Sequence, residues 1–277
     1  MNSRDLDSKL FFRASDGANG YELYTSEGTS STTSMVKNIG TGSHSGFVEP
    51  WFANLASDMG IMKVGNRAVF IGLDAPDALG GNGSELWSSD GTASGTFMLG
   101  NISKGNDGVH GFTPFAHTPI MPCGSTVLCP DFLVLDDILY FVFDDNGTIG
   151  RELWRTDGTP SGTFLIKDFT PGTFTAMHSG SLQAHHGITS PRPLYEAGGE
   201  LYVAASESTT YLDEELWHIS GRAQPEAKMM FNINANSSHS QILLPTFVNG
   251  HLVFSAKSNF DGIRLFSIST NVEFLVS

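Results

Sequence analysis

One phrase occurs twice in this chain, nearly letter for letter. ELWRTDGTPSGTF runs from Glu152 to Phe164, and ELWSSDGTASGTF runs from Glu85 to Phe97. A worn third copy, ELYTSEGTSSTTSM, spans Glu22 to Met35. Recurrence at this distance is the mark of a repeat architecture, in which one supersecondary unit is copied along the chain. Any fold proposed for the sequence must therefore be built from equivalent units.

Alignment on the Glu-Leu-aromatic triplet brings out further copies. Glu22, Glu85, Glu152 and Glu215 each open one, and Arg264 opens RLFSIS in the same context. Successive copies lie 49 to 67 residues apart. An alternating apolar segment precedes each triplet: KLFFRAS, AVFIGLD, ILYFVFD, ELYVAAS and HLVFSAK. Another follows it: SMVKNI, TFMLGNI, TFLIKDF, KMMFNI and VEFLVS. All but the first copy also have a short apolar stretch and a turn ahead of them: IMKVGN, FLVLDD, PLYEAGG and TFVNG.

Period-two alternation broken by turn residues predicts four antiparallel strands per unit, which is a propeller blade. The chain is expected to be all-β, a single β-propeller domain over 1–277 of about five four-stranded blades. Approximate blades are 1–40, 41–103, 104–170, 171–234 and 235–277. Only MNSRDLD precedes the first KLFF, so the first blade is expected to lack its innermost strand. The fifth is expected to be complete, with VEFLVS as its outermost strand.

The phrase ELW..DGT..GT resembles the ELWxxDGT repeat family, strongly in the second and third copies. The fourth, ELWHISGRAQ, has lost the Asp-Gly-Thr turn, and the fifth has a shorter one. The resemblance covers nearly the whole chain. It implies β-propeller repeats and a secreted or surface-associated protein, and it implies no particular activity.

Composition narrows the partners. Of 277 residues, 29 are acidic and 15 basic, a net charge of −14, which argues against nucleic acid. No apolar run approaches the 18 or so residues of a membrane span. Cys123 and Cys129, in CGSTVLC, suit a disulfide closing one short loop if the protein is secreted, with two buried thiols as the alternative.

Strand order assigns roles to the two ends of a blade. With strands A to D from innermost to outermost, the A–B and C–D turns share one face, and the B–C loops and D–A connections share the other. DGT..GT is then the C–D turn. Its Asp and Gly supply turn geometry, and its Asp and Thr side chains bond free backbone groups. Trp87, Leu153 and Trp154 read as packing between blades. The recurring phrase is scaffold, and function is expected on the opposite face. Long D–A connections there include WFANLASDMG and FAHTPIMPCGSTVLCPD.

Four histidines recur at one place in the repeat: His44, His110, His186 and His239. Each follows strand D and precedes a proline leading toward strand A. Neutral imidazoles converging on a pseudosymmetry axis would suit a transition metal such as Zn, Cu or Fe. Loop histidines copied without purpose are the alternative. Asp and Asn beside Gly in the B–C loops are oxygen ligands, which makes calcium a weaker candidate. Trp51, Phe52, Phe112, Phe115 and His185 lie near the histidines in sequence and offer stacking and polar contacts to a glycan or small molecule. Three readings compete. The chain is a binding propeller, a metal-dependent enzyme (oxygenase, lyase or hydrolase) using the histidine ring, or a structural module of an oligomer or larger surface assembly.

Overall fold

The computed structural model describes residues 3–47, 60–75, 81–102, 132–144, 149, 151–169, 173–178, 181–186, 194–207, 214–233, 242–258 and 262–269. The fold is all-β. The first sheet has β1 (Ser3–Leu6), β2 (Lys9–Ser15), β3 (Tyr21–Ser26) and β4 (Ser34–Lys37) in sequential order. The second has β5 (Ile61–Val64), β6 (Arg67–Leu73), β7 (Ser84–Ser89) and β8 (Phe97–Met98). The third has β9 (Phe132–Leu135), β10 (Ile138–Asp144), β11 (Arg151–Thr156) and β12 (Phe164–Lys167). A hairpin of β13 (Thr173–His178) and β14 (Ser181–His186) separates it from the fourth. That sheet has β15 (Leu194–Ala197), β16 (Glu200–Ser206), β17 (Glu214–Ser220) and β18 (Glu226–Phe231). Among the described residues three strands form the fifth, β19 (Leu243–Val248), β20 (His251–Ser258) and β21 (Gly262–Ser269), and VEFLVS, expected as its outermost strand, lies outside them.

Two expectations need correction. The first repeat does not lack its first strand: Ser3–Leu6 fills that place, pairing Ser3 with Phe12 and Leu6 with Lys9. The segment is too polar to read as a strand, but β2 offers it an edge and Leu6 a buried seat. The β13–β14 hairpin also replaces what reads as a plain connection. The only helical turn among the described residues is a 3-10 turn at Ser30–Thr32, and none of their helices is long and apolar enough to cross a membrane.

The turns explain the order. Asp7-Ser8, Asp136-Asp137, Gly198-Gly199 and Asn249-Gly250 each place two successive residues at positive φ. That is type I′ geometry, whose twist matches antiparallel strands and fixes sequential neighbours.

The chain divides into two compact units. One comprises Met1–Ala116, Asp136–Thr148 and Trp154–Phe164, and the other His117–Leu135, Ile149–Leu153 and Leu165–Ser277. In the first, Leu6, Phe11, Leu23, Val36 and Ile39 of the first repeat pack with Ile61, Ala68, Phe70 and Trp87 of the second, and Phe47 from the connection joins them. In the other, Tyr202, Ala204 and Leu216 pack with Leu252, Phe254 and Ala256. β6 is buried from Ala68 to Ile71, as expected of a strand covered on both faces.

The tryptophans of the repeated triplet sit in these junctions, but not equally. Trp87 and Trp217 are buried, and each lies under a lysine of the preceding repeat. Lys37 Nζ is 5.6 Å from the Trp87 ring centroid, and Lys167 Nζ is 5.0 Å from that of Trp217. Gly100 holds the lysine's place in the second repeat, and Trp154 is only half-buried, short of the expected full burial. A cation over the ring face adds attraction, and its alkyl stem adds cover.

Candidate functional site

The repeats have two chemically distinct ends. At the first, the Asp-Gly-Thr phrase closes the turn from β7 to β8. Asp90 Oδ1 accepts from Thr92 N at 2.9 Å and from Thr92 Oγ1 at 2.7 Å. Thr92 Oγ1 in turn accepts from Gly95 N at 2.9 Å, and Ser89 Oγ lies 2.7 Å from Thr96 Oγ1. The β11–β12 turn repeats every bond through Asp157, Thr159, Gly162, Thr156 and Thr163. Gly91 and Gly158 have φ of 87° and 84°, which favours glycine. A Cβ on Gly95 would collide with the Asp90 carboxylate, so the second glycine is also required.

The same turns touch the preceding strand. A Cβ on Gly91 would come 3.1 Å from Phe11 and 3.3 Å from Lys9, and one on Gly158 would come 3.1 Å from Arg67. Lys9 and Arg67 hold the same place in their repeats. The phrase thus joins one repeat to the one before it, as well as closing a turn. A cavity of about 150 Å³ beside the first of these contacts is lined by Leu6, Asp7, Lys9, Phe11, Asn66 and Asp90.

At the other end each triplet glutamate is buried. Glu22, Glu85, Glu152 and Glu215 are all shielded from solvent. Each carboxylate accepts a backbone N–H from just beyond its repeat's last strand: Ile39 at 3.1 Å, Ile102 at 3.2 Å, Phe169 at 3.0 Å and Ile233 at 2.7 Å. Glu22 also accepts from Gly40 at 2.9 Å and Gly46 at 3.0 Å. Burial pushes the Glu22 carboxyl above its usual range, against the downward pull of those three N–H groups. Sequence reading singled out the leucine and the aromatic of the triplet and missed this residue. The signal was available: a carboxylate kept in four copies, including the one that lost its turn, is a buried acceptor for backbone donors.

The Glu22 crown shapes the connection that carries His44. Gly40 and Gly46 bracket it, Phe47 N donates to Tyr21 O at 2.9 Å, and Tyr21 N donates to Ser45 Oγ at 3.0 Å. His44 is exposed on this frame, and its Nδ1 lies 2.9 Å from the Thr41 carbonyl. A carbonyl can only accept, so Nδ1 carries the proton and the neutral ring leaves Nε2 as a lone pair.

His110 and His239 lie outside the described residues, as do Trp51, Phe52, Phe112, Phe115, Cys123 and Cys129. His185 and His186 are strand residues of β14, paired in register with Phe174 and Thr173, rather than loop residues. Among the described residues, no group of three or more His, Cys, Asp or Glu side chains is arranged to hold a metal ion. Asp16 and Asp74, the oxygen-rich candidates in the B–C loops, are engaged locally. Asp16 accepts from Ala18 N, Asn19 N and Asn19 Nδ2, and Asp74 from Ala75 N, Asn82 N and Asn82 Nδ2. The Asp16 bond to Ala18 N is an Asx turn, whereas Asp74 ties the two ends of its loop together through Asn82, so both carboxylates serve the closure of their own loops.

No family model matches the chain, and no curated protein does. Among solved structures, an endo-arabinase from Bacteroides thetaiotaomicron is 13% identical, with 96% of this chain and 91% of that one covered at a TM-score of 0.32. An alpha-L-arabinofuranosidase from Clostridium thermocellum is 12% identical, with coverages of 96% and 88% and a TM-score of 0.27. An exo-beta-1,3-galactanase from Phanerochaete chrysosporium is 11% identical, with coverages of 92% and 55% and a TM-score of 0.29. Overlap this loose carries no substrate or mechanism to the present chain.

Proposed function

We propose that this chain is a ligand-binding module of β-propeller type, secreted or surface-exposed. It takes a glycan or other small ligand on the face opposite the Asp-Gly-Thr turns. His44, His110, His186 and His239 line that site and supply imidazoles to a transition metal or directly to the ligand. The observation that carries the reading is the setting of His44. A buried carboxylate holds the connection, a backbone carbonyl fixes the tautomer, and the remaining ring nitrogen is presented to solvent. A carbonyl on the far nitrogen is how metal-binding imidazoles are commonly oriented. The turn end, by contrast, spends its polar groups on its own closure.

The test is metal analysis of protein purified without a histidine tag. Near-stoichiometric Zn, Cu or Fe is expected, released on acidification below about pH 6 because only neutral imidazole binds. His44→Ala and His110→Ala should each cut metal content sharply. His251→Ala is the control, since His251 makes a similar bond to the Asn249 carbonyl at 3.0 Å but starts a strand at the turn end. Equal loss in all three variants, or no metal in the parent, ends the metal reading. A glycan or small-molecule screen against parent and His44→Ala then tests direct binding.

A further inference from the structure

One pair of residues beside the His44 connection departs from the repeat. The fifth residue of the second strand is Ile71, Val142 and Ala204 in the second, third and fourth repeats, all buried, and Arg13 in the first. The residue ahead of the triplet glutamate is a buried Ser84 in the second repeat and Tyr21, 45% exposed, in the first. Arg13 pairs with Leu23 and Ser15 with Tyr21 across β2 and β3, so Arg13, Tyr21 and Leu23 share one face of the sheet. Leu23 is buried in the core, and Tyr21 carries the same face out beyond it. The Arg13 guanidinium sits over the Tyr21 ring, its Cζ 3.6 Å from the ring centroid.

Tyr21 and His44 are carried on one hydrogen-bonded frame. Tyr21 N donates to Ser45 Oγ, and its carbonyl accepts from Phe47 N, both just beyond His44 in the chain. Gly20, at φ 73°, lies so close that a Cβ there would stand 2.7 Å from the His44 carbonyl. The chemistry of this corner selects its ligand by charge. The guanidinium closes one face of the ring, and its charge opposes a second cation on the other. A net charge of −14 opposes an anion. A neutral ligand remains, with a C–H surface to lie on the ring and a hydroxyl to donate to His44 Nε2. A pyranose has both.

We propose that Tyr21, backed by Arg13, is the stacking platform for a neutral pyranose residue that also donates a hydroxyl to His44. The proposal rests on the reading of the His44 face as a ligand site and gives that site a ligand class. Saturation-transfer NMR with the methyl pyranosides of glucose, galactose, mannose and xylose at millimolar concentration tests it. At least one should receive saturation at its ring C–H protons from the parent protein. Tyr21→Ala should weaken that binding by more than about tenfold, and Tyr21→Phe should keep most of it, because the ring rather than the phenol makes the contact. Both should melt with the parent; if Tyr21→Ala does not, Tyr21→Leu keeps apolar bulk without a ring face and carries the same test. Binding lost in His44→Ala but kept in Tyr21→Ala would overturn the platform and leave the His44 face as a ligand site. Binding lost equally in Tyr21→Phe would assign the contact to the hydroxyl and overturn stacking. A parent that binds none of the four sugars overturns the proposal as well, while metal analysis still decides the histidine site on its own.

Discussion

The two ends of the triplet strand are held by different chemistry and differ in how much they vary from repeat to repeat. The turn end has three solutions in four repeats. The second and third use Asp-Gly-Thr with identical bonds. The first has Glu27 in the aspartate's place, and the hydroxyl of Thr32, which stands where Gly95 does, accepts from Glu27 N and Thr29 N instead. The fourth drops the motif and turns through Gly221 at φ 77°. The glutamate end has one solution, kept in all four. Solvent explains the difference. An exposed turn can hand its backbone groups to water or to any nearby hydroxyl, so many sequences serve. A buried N–H has no second acceptor, and loss of the carboxylate strands it.

The largest effect that follows is at Glu22. Glu22→Ala removes the acceptor of three backbone N–H groups at once. Each buried donor left unsatisfied costs about 1–3 kcal/mol, so a loss of at least about 3 kcal/mol is expected in denaturant unfolding. Glu22→Gln keeps one acceptor oxygen and should lose clearly less. A Glu22→Ala protein as stable as the parent would mean that water reaches those amides, and the contrast between the two ends would collapse.

The next effect is smaller and lies at the turn. Asp90→Ala deletes two bonds to Thr92 at a site open to water, and about 1 kcal/mol is expected. The first repeat shows how the loss is repaired. Asp90→Glu combined with Gly95→Thr copies Glu27 and Thr32, and should recover most of what Asp90→Glu alone loses. Thermal melts of the single and double variants measure this directly. No recovery would mean that the Thr32 bonds are incidental to the first turn.

Much of the scaffold was legible because repetition averages out local noise. KLFFRAS, ILYFVFD and HLVFSAK alternate clearly enough to be found independently, and each is a strand where expected. Ser3–Leu6 was not legible, because a polar segment becomes a strand only when a neighbour supplies the edge. The β13–β14 hairpin was hidden for a related reason: it belongs to one repeat only, so alignment of copies passes over it. Trp154 shows a further limit. Its triplet matches that of Trp87, yet its cover depends on whether the preceding repeat has a lysine or Gly100 at one position. At the site, the histidine recurrence was visible. The glutamate that frames His44 was not recognised, because a carboxylate in a strand reads first as a surface charge.

The subtlest effect is a difference in sign between the two ends as pH changes. Burial raises the Glu22 carboxyl above its ordinary 4.5, so the folded state holds that proton more tightly than the unfolded chain. Its contribution to stability is greatest below about pH 4.5 and falls as pH rises through the folded value. Asp90 behaves in the opposite way. Burial works against ionisation there too, but the Thr92 hydroxyl and amide and the Arg67 charge together hold its carboxyl below the usual 3.8. Its contribution is present above about pH 3.8 and is lost as pH falls through the folded value. Unfolding free energies of the parent, Glu22→Gln and Asp90→Asn, measured between about pH 3 and 6, separate the two. The advantage of the parent over Glu22→Gln should shrink as pH rises across that range, and its advantage over Asp90→Asn should grow. Matching signs at the two sites would show that one carboxylate is not where its bonds place it. An advantage over Glu22→Gln that grows with pH would identify the N–H crown, rather than burial, as the dominant influence on that glutamate.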